Sequence, residues 1–183
     1  STYNTFYDDV RVGDDAVVAG VNKGWHLITN QLNYERVSLG PPGTVESVYD
    51  EVRAWAQATK LPDGRRVIDQ EWVQISLARV HAKLELVKLI NWKVAAAGGA
   101  NPADASATKV YATEFYTEAY RLLMEVLGPA AYLERGSPAA ALAGRLERSF
   151  QGCLILTFGG GVNEVQRDLI ALFGAGLPRV PRH

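Results

Sequence analysis

Cysteine is nearly absent: Cys153 stands alone in 183 residues. No internal disulfide can form, which is compatible with a reducing cytoplasm. An excess of either charge is missing too. Nineteen Lys and Arg against twenty Asp and Glu leave a net charge of −1, which removes the case for nucleic acid or an anionic membrane surface as a partner. No apolar run approaches the roughly 18–20 residues of a membrane span, and nothing at the N-terminus reads as a signal peptide. His26, His81 and His183 make no metal pattern, and no Glu-x-x-His pair occurs to build a di-iron bundle site. No His partner is suggested for Cys153, so it reads as a small core residue rather than a nucleophile. An initiating Met is also lacking. The chain opens "STYNTFYDDVRVGDDAVVAG" at Ser1, as expected for the C-terminal part of a longer protein.

What remains is ordinary globular composition, 48% apolar and 21% charged, at a length that suits one domain with a real core. Residues 4–19 alternate as two short strands, "NTFYDDVRV" and "AVVA", turned at "GDD". Two strands alone are marginal, so this hairpin is expected to be the remnant of a β-domain lying mostly outside the chain.

After "NKG" the spacing becomes helical and stays so. Trp25, Ile28, Leu32 and Leu39 share one helix face, "GPPG" at 40–43 interrupts it, and Val45, Val48, Val52 and Trp55 resume the stripe. "KLPDGRR" at 60–66 is a loop. A second helix, about Gln70 to Ala97, carries Val73, Leu77, Val80, Leu84, Val87, Asn91 and Val94 at steps of three and four. Asp104 is expected to cap a third helix running to about Leu127. A fourth is expected over about Ala139 to Leu156. After "GGG" at 159–161 comes a last helix, Asn163 to Phe173, capped by Asn163 and stopped by Gly174. Trp25, Trp55, Trp72 and Trp92 are expected to pack. The expected fold is all-α, an antiparallel four-helix bundle with a short extra C-terminal helix. Residues 22–183 form the bundle domain, behind the tail of a middle β-domain at 1–21.

Within "QLNYERVSLG" at 31–40, one carboxylate is awkward. Counting 100° per residue from Trp25, Glu35 falls at roughly 280°, beside Ile28 at roughly 300°. A carboxylate at that edge loses hydration, which disfavours its charged form and suits a general base. Periodicity leaves a second reading open: Glu35 pairs with an arginine or borders solvent.

Four segments, in order, carry a resemblance to the C-terminal half of the acyl-CoA dehydrogenase family. "YDDVRVGDDAVVAGVNKGWHLITNQLNYERVSLG" resembles the passage from the middle β-domain into the first bundle helix. "LARVHAKLELVKLINWKVA" is similar to the second helix and "SATKVYATEFYTEAYRLLMEVLG" to the third. "TFGGGVNEVQRDLIALFGAGLPR" resembles the closing segment with its Gly-Thr-Ser-Glu-Ile-Gln-Arg type of motif. In most of the family the catalytic glutamate precedes that motif, where this chain has Gly160. A smaller group, similar to isovaleryl-CoA dehydrogenase, carries its glutamate on the first bundle helix in a Glu-Arg pair, matched here by Glu35 and Arg36. The resemblance therefore implies Glu35 as the base that takes an α-proton from an acyl-CoA thioester, with hydride transfer to FAD giving a trans-2-enoyl-CoA. Arg36 would organise the site or the helix packing. Gly161, Val162 and Asn163 would be flavin contacts.

The pattern departs elsewhere. The family's Arg-x-x-Phe-Gly, a flavin contact from a neighbouring subunit, is matched by "KLPDG", with Lys60 for Arg and Asp63 for Phe. The family's Gln before a Gly pair is matched by "EVLGP", with Glu125 for Gln and Pro129 for the second Gly. A carboxylate replacing a donor beside a pyrophosphate is unfavourable, so this subunit would supply only part of a flavin site. That resembles actinobacterial members built from two unlike subunits, some of which act on steroid side-chain thioesters. The implied partners are an acyl-CoA substrate, a homo- or hetero-tetramer, and an electron-transfer flavoprotein as acceptor. The alternative is a non-catalytic scaffold subunit of such a hetero-oligomer.

Overall fold

A computed structural model describes residues 3–97 and 101–179, and His183 lies outside these. Among the described residues there are six α-helices: α1 Gly24–Ser38, α2 Gly43–Ala58, α3 Glu71–Ala96, α4 Pro102–Leu127, α5 Arg145–Cys153 and α6 Asn163–Phe173. Short 3-10 turns fill the gaps, among them Val67–Asp69, Ala141–Gly144 and Leu154–Thr157. The all-α bundle expected from the sequence is the fold observed.

Helix α4 is its axis, packed against α1, α2, α3, α5 and α6. Ala105, Ala112 and Ala119, spaced by sevens along α4, are all buried, and such small residues let neighbouring backbones come close. A Cβ on Gly40 would stand 2.6 Å from the Ala112 Cβ, which fixes the α1–α2 corner against α4. Around α4 are buried Val45, Val48 and Val52 of α2, and Val73, Leu77, Val80, Leu84 and Val87 of α3. Each such side chain is worth roughly 1.5–3 kcal/mol of burial. Ion pairs at the helix flanks register the packing: Glu118 of α4 bonds Arg79 at 2.7 Å and also Lys83 of α3, while Lys88 of α3 meets Glu46 of α2 at 2.6 Å. Asn91, the polar member of the α3 stripe, donates to the Gly40 carbonyl at 3.0 Å.

Several expectations need correction. No strand forms among the described residues: residues 3–20 lie exposed, with Phe6 at 87% and Val12 at 75%. Strands need a hydrogen-bonding neighbour, and here the chain supplies none. The fourth long helix is only α5, because Leu142, Ala143 and Gly144 turn left-handed (φ 48°, 54° and 71°) ahead of it. The N-cap of α4 is Asn101, whose side chain accepts from the Asp104 N–H at 2.9 Å, with Pro102 opening the helix. Gly174 does stop α6, although its φ is −94°; a Cβ there would meet the Ile170 carbonyl at 2.8 Å. Of the tryptophans only Trp55 packs on the core, while Trp25, Trp72 and Trp92 are exposed. No described helix is long and apolar enough to cross a membrane.

Candidate active site

The C-terminal half of α1, the glycine run and the first turns of α4 and α6 meet around a buried lysine. Lys109 of α4 is fully buried. Its ammonium donates to the Asn163 Oδ1 at 2.6 Å, the Gly161 carbonyl at 2.8 Å and the Thr157 carbonyl at 3.1 Å. Burial pushes this amine below the usual lysine range; Glu114 and Glu164 oppose that, and Arg36 adds to it. Asn163 is itself buried, and its Nδ2 donates to Thr113 Oγ1 at 3.2 Å and Glu114 Oε1 at 3.1 Å. Glu114 also meets Arg167 of α6 at 2.8 Å. One buried cation thus ties the loop before α6 to α4.

Arg36 reaches the same loop from α1. Its Nε donates to the Gly160 carbonyl at 3.4 Å, and its Nη1 donates to the Asn33 Oδ1 at 3.0 Å. Burial lowers its pKa, while the neighbouring Glu35 charge raises it. Gln166 donates to the same Gly160 carbonyl at 3.3 Å, is fully buried, and has an Oε1 with no partner among the described residues. Gly160 has φ 69°, and a Cβ there would stand 2.6 Å from Leu39 Cδ1. Gly161 has φ 97°, and its Cβ would meet Gln166 Nε2 at 2.4 Å. A side chain at either position would strain a left-handed backbone and push aside the tip of Leu39 or Gln166.

Glu35 lies next to this cluster on α1, but exposed rather than desolvated. The stripe expected to cover it does not do so: α1 buries no residue, with Trp25 at 80% and Ile28 at 40% exposure. Only the end of α1 packs against α4 and the glycine loop, so the face bearing Trp25, Ile28 and Glu35 stays open.

The remaining residues divide. The N–H groups of Gly160, Gly161, Val162 and Asn163 donate to no acceptor among the described residues, which suits the oxygen or nitrogen acceptors of a cofactor. The Asn163 side chain does not fit that role, since both of its polar atoms are committed inward. It also does not cap α6, whose N-cap is Val162. Lys60 and Glu125 are exposed and are not brought to this cluster. Lys60 sits in the turn bridged to Arg66. Glu125 stands four turns or more beyond Lys109 on α4, about 24 Å at 1.5 Å per residue. As an acceptor-only group, the Glu125 carboxylate does not fit a phosphate; the Lys60 ammonium does.

Residues 22–173 match the acyl-CoA dehydrogenase C-terminal domain. The chain belongs to this family. It is 57% identical over 187 residues to acyl-CoA dehydrogenase FadE26 of Mycobacterium tuberculosis, covering 99% of this chain and 47% of that protein. Among solved structures it resembles the ChsE4-ChsE5 complex from Mycobacterium tuberculosis, with TM-score 0.88 and 59% identity over 96% of this chain and 46% of that one. It also resembles the Tcur3481-Tcur3483 steroid ACAD, with TM-score 0.83 and 42% identity over 96% of this chain and 45% of that one. The chain therefore spans about half the length of these relatives. As an acyl-CoA dehydrogenase C-terminal domain, it keeps its glycine loop by burying Lys109. Sequence reading missed that residue because lysine is seldom buried. The signal was there: Ala105, Lys109, Ala112, Tyr116 and Ala119 step by three and four along α4.

Proposed function

We infer that the chain is the catalytic C-terminal portion of an FAD-dependent acyl-CoA dehydrogenase, with Glu35 as the base. On this reading residues 1–21 end a preceding β-domain. The observation that carries it is the pairing of two features: the family's usual glutamate position holds Gly160, whose left-handed backbone and contact with Leu39 disfavour a side chain, and the helix that touches that residue carries Glu35 beside Arg36. Arg36 pins α1 to the Gly160 carbonyl, which fixes where the first bundle helix presents its carboxylate. Closing the open α1 face over a thioester would exclude water from Glu35, the setting in which a carboxylate takes a proton from carbon.

FAD, when bound, supplies the acceptor for the β-hydride. Toward it the chain would offer the free amides of Gly161 and Val162, with Lys60 reaching a site on a neighbouring subunit. The distance along α4 between Glu125 and Lys109, which holds the glycine loop, supports separate flavin sites served by different subunits, as in a tetramer. The mismatch at Glu125 favours an unlike partner that completes the cofactor site, and relatives named as pairs support the same assembly. The steroid ACAD among them supports a steroid-type acyl-CoA substrate. Electrons would then leave through an electron-transfer flavoprotein.

The test is Glu35→Gln in the full-length protein assembled with its partner. Turnover is expected to fall by at least 10³-fold, about 4 kcal/mol of barrier, with flavin content retained. Unchanged turnover would leave the scaffold reading.

A further inference from the structure

The turn ahead of α5 gathers arginines. Leu142, Ala143 and Gly144 are left-handed in succession, and a Cβ on Gly144 would stand 2.6 Å from the Arg135 backbone nitrogen and 2.8 Å from its Cα. The bare glycine lets the chain at 134–135 lie directly against the start of α5. Arg135 thereby shares a cleft of about 460 Å³ with Leu142, Ala143, Arg145, Arg148 and Ser149. That volume falls within the roughly 300–1,000 Å³ of small-molecule sites.

No acid lines this cleft. Arg145 is engaged elsewhere: its guanidinium bonds Glu51 and donates to the Ser47 Oγ at 3.1 Å, both on α2. Arg135 and Arg148 are exposed and form no ion pair among the described residues. The acids beside them in sequence do not quench them. Glu147 accepts from Gln151 on its own helix, and neither it nor Glu134 is part of the lining. A cleft lined by charge of one sign focuses its field and draws in a counter-ion. Guanidinium forks match phosphate oxygens in pairs, and the Ser149 hydroxyl adds a donor. A carboxylate would answer one of the two arginines; a diphosphate, with charge on both phosphates, answers both.

We propose that this cleft binds the diphosphate of a nucleotide-type ligand, anchored by Arg135 and Arg148. Three sources share that group: the flavin, the coenzyme A end of the substrate, and a free nucleoside diphosphate. The turn Gly128–Tyr132 packs against both Ala141–Gly144 and α5. The cleft therefore lies beside the stretch where Glu125 and Pro129 replace the family's flavin contacts, and it offers cations where those donors are missing. The anion site stands on the cleft alone. Its attribution to flavin or substrate rests on the proposed function, and nothing in it depends on Glu35.

The test is calorimetric titration of inorganic pyrophosphate into the full-length enzyme assembled with its partner, flavin-loaded and flavin-stripped. Saturable binding is expected in the stripped enzyme. Replacing both anchors, Arg135→Ala with Arg148→Ala, should weaken it by at least about tenfold with circular dichroism unchanged. Arg79→Ala, an equal loss of charge on α3, should leave it as it was. The three sources then separate. Binding lost on flavin loading, with less flavin retained by the double variant, assigns the flavin diphosphate. Binding that persists but is displaced by coenzyme A, with a raised KM for acyl-CoA at unchanged kcat, assigns the substrate. Binding that persists beside coenzyme A and is displaced by ADP assigns a free nucleotide. Pyrophosphate that does not saturate, or that binds the double variant as tightly as wild type, overturns the site and leaves the Glu35 test untouched.

Discussion

Replacing Lys109 with Met removes the one cation that holds the glycine loop to α4, at little change in volume. Three acceptors then lose a charged donor: the carbonyls of Gly161 and Thr157 and the Asn163 Oδ1. Hydrogen bonds to charged groups contribute about 1.5–3 kcal/mol each. Against their sum stands the relief of no longer burying an ammonium, which is worth several kcal/mol. The acceptors left behind decide the sign. Asn163 keeps a long contact from Thr113 at 3.4 Å, and Gly161 itself is exposed enough for water to reach it. The net expectation is a loss of about 2–3 kcal/mol, roughly 1–1.5 M in the urea midpoint for an m-value near 2 kcal/mol/M. Adding Asn163→Leu removes the main orphan, so the double variant should cost less than the sum of the two singles by about 1 kcal/mol. The sign with pH follows from the lowered pKa: below the ordinary lysine value, about 10.4, the unfolded chain binds a proton that the folded chain holds less tightly. Wild-type stability relative to Lys109→Met should therefore rise with pH across the window up to that value. A Met variant as stable as wild type, or singles that simply add, would refute this account of the loop.

Gly160→Ala places a Cβ at φ 69° and 2.6 Å from Leu39 Cδ1. The left-handed backbone costs an alanine about 1–2 kcal/mol before the contact is relieved, so the thermal midpoint should drop by roughly 2–8 °C; calorimetry showing no drop would contradict the close approach. Burial raises the phenols of Tyr116 and Tyr120, with Tyr120 adding to the first and Cys153 to the second, partly offset there by Ser149 and Arg145. Folded tyrosines with raised pKa stabilise fully below the unfolded value near 10 and lose that contribution as pH climbs through it. Urea midpoints should thus fall above about pH 10, less steeply in Tyr120→Phe; equal slopes would contradict this. Tyr116→Phe deletes the hydroxyl that donates to the Pro41 carbonyl at the α1–α2 corner and should cost about 1 kcal/mol in the same measurement.

The bundle was readable because its signals are local. The steps of three and four along α3 and α4, and the prolines at 41 and 42, place helices within a residue or two of where they form. The same periodicity misled at α1, where Trp25 and Ile28 have helical spacing but nothing in this chain to pack on. Pattern reveals which face is apolar, not what covers it. Alternation likewise marked residues 4–19 as strands, yet a strand exists only beside another. For the site, Gly160 and Glu35 were visible as a mismatch and a match to a family motif. Lys109, Thr113 and Gln166 were not, because their burial depends on α6 folding back across α4. The left-handed turn at Leu142 and Ala143 was hidden as well, since neither residue prefers that backbone.

The central claim is that Glu35 takes the proton. Exchange of the acyl α-hydrogens into deuterium oxide, followed by mass spectrometry on full-length enzyme assembled with its partner, measures that step directly. The account predicts that Glu35→Gln abolishes exchange while acyl-CoA affinity stays within a few-fold of wild type. Exchange at the wild-type rate in Glu35→Gln would contradict it.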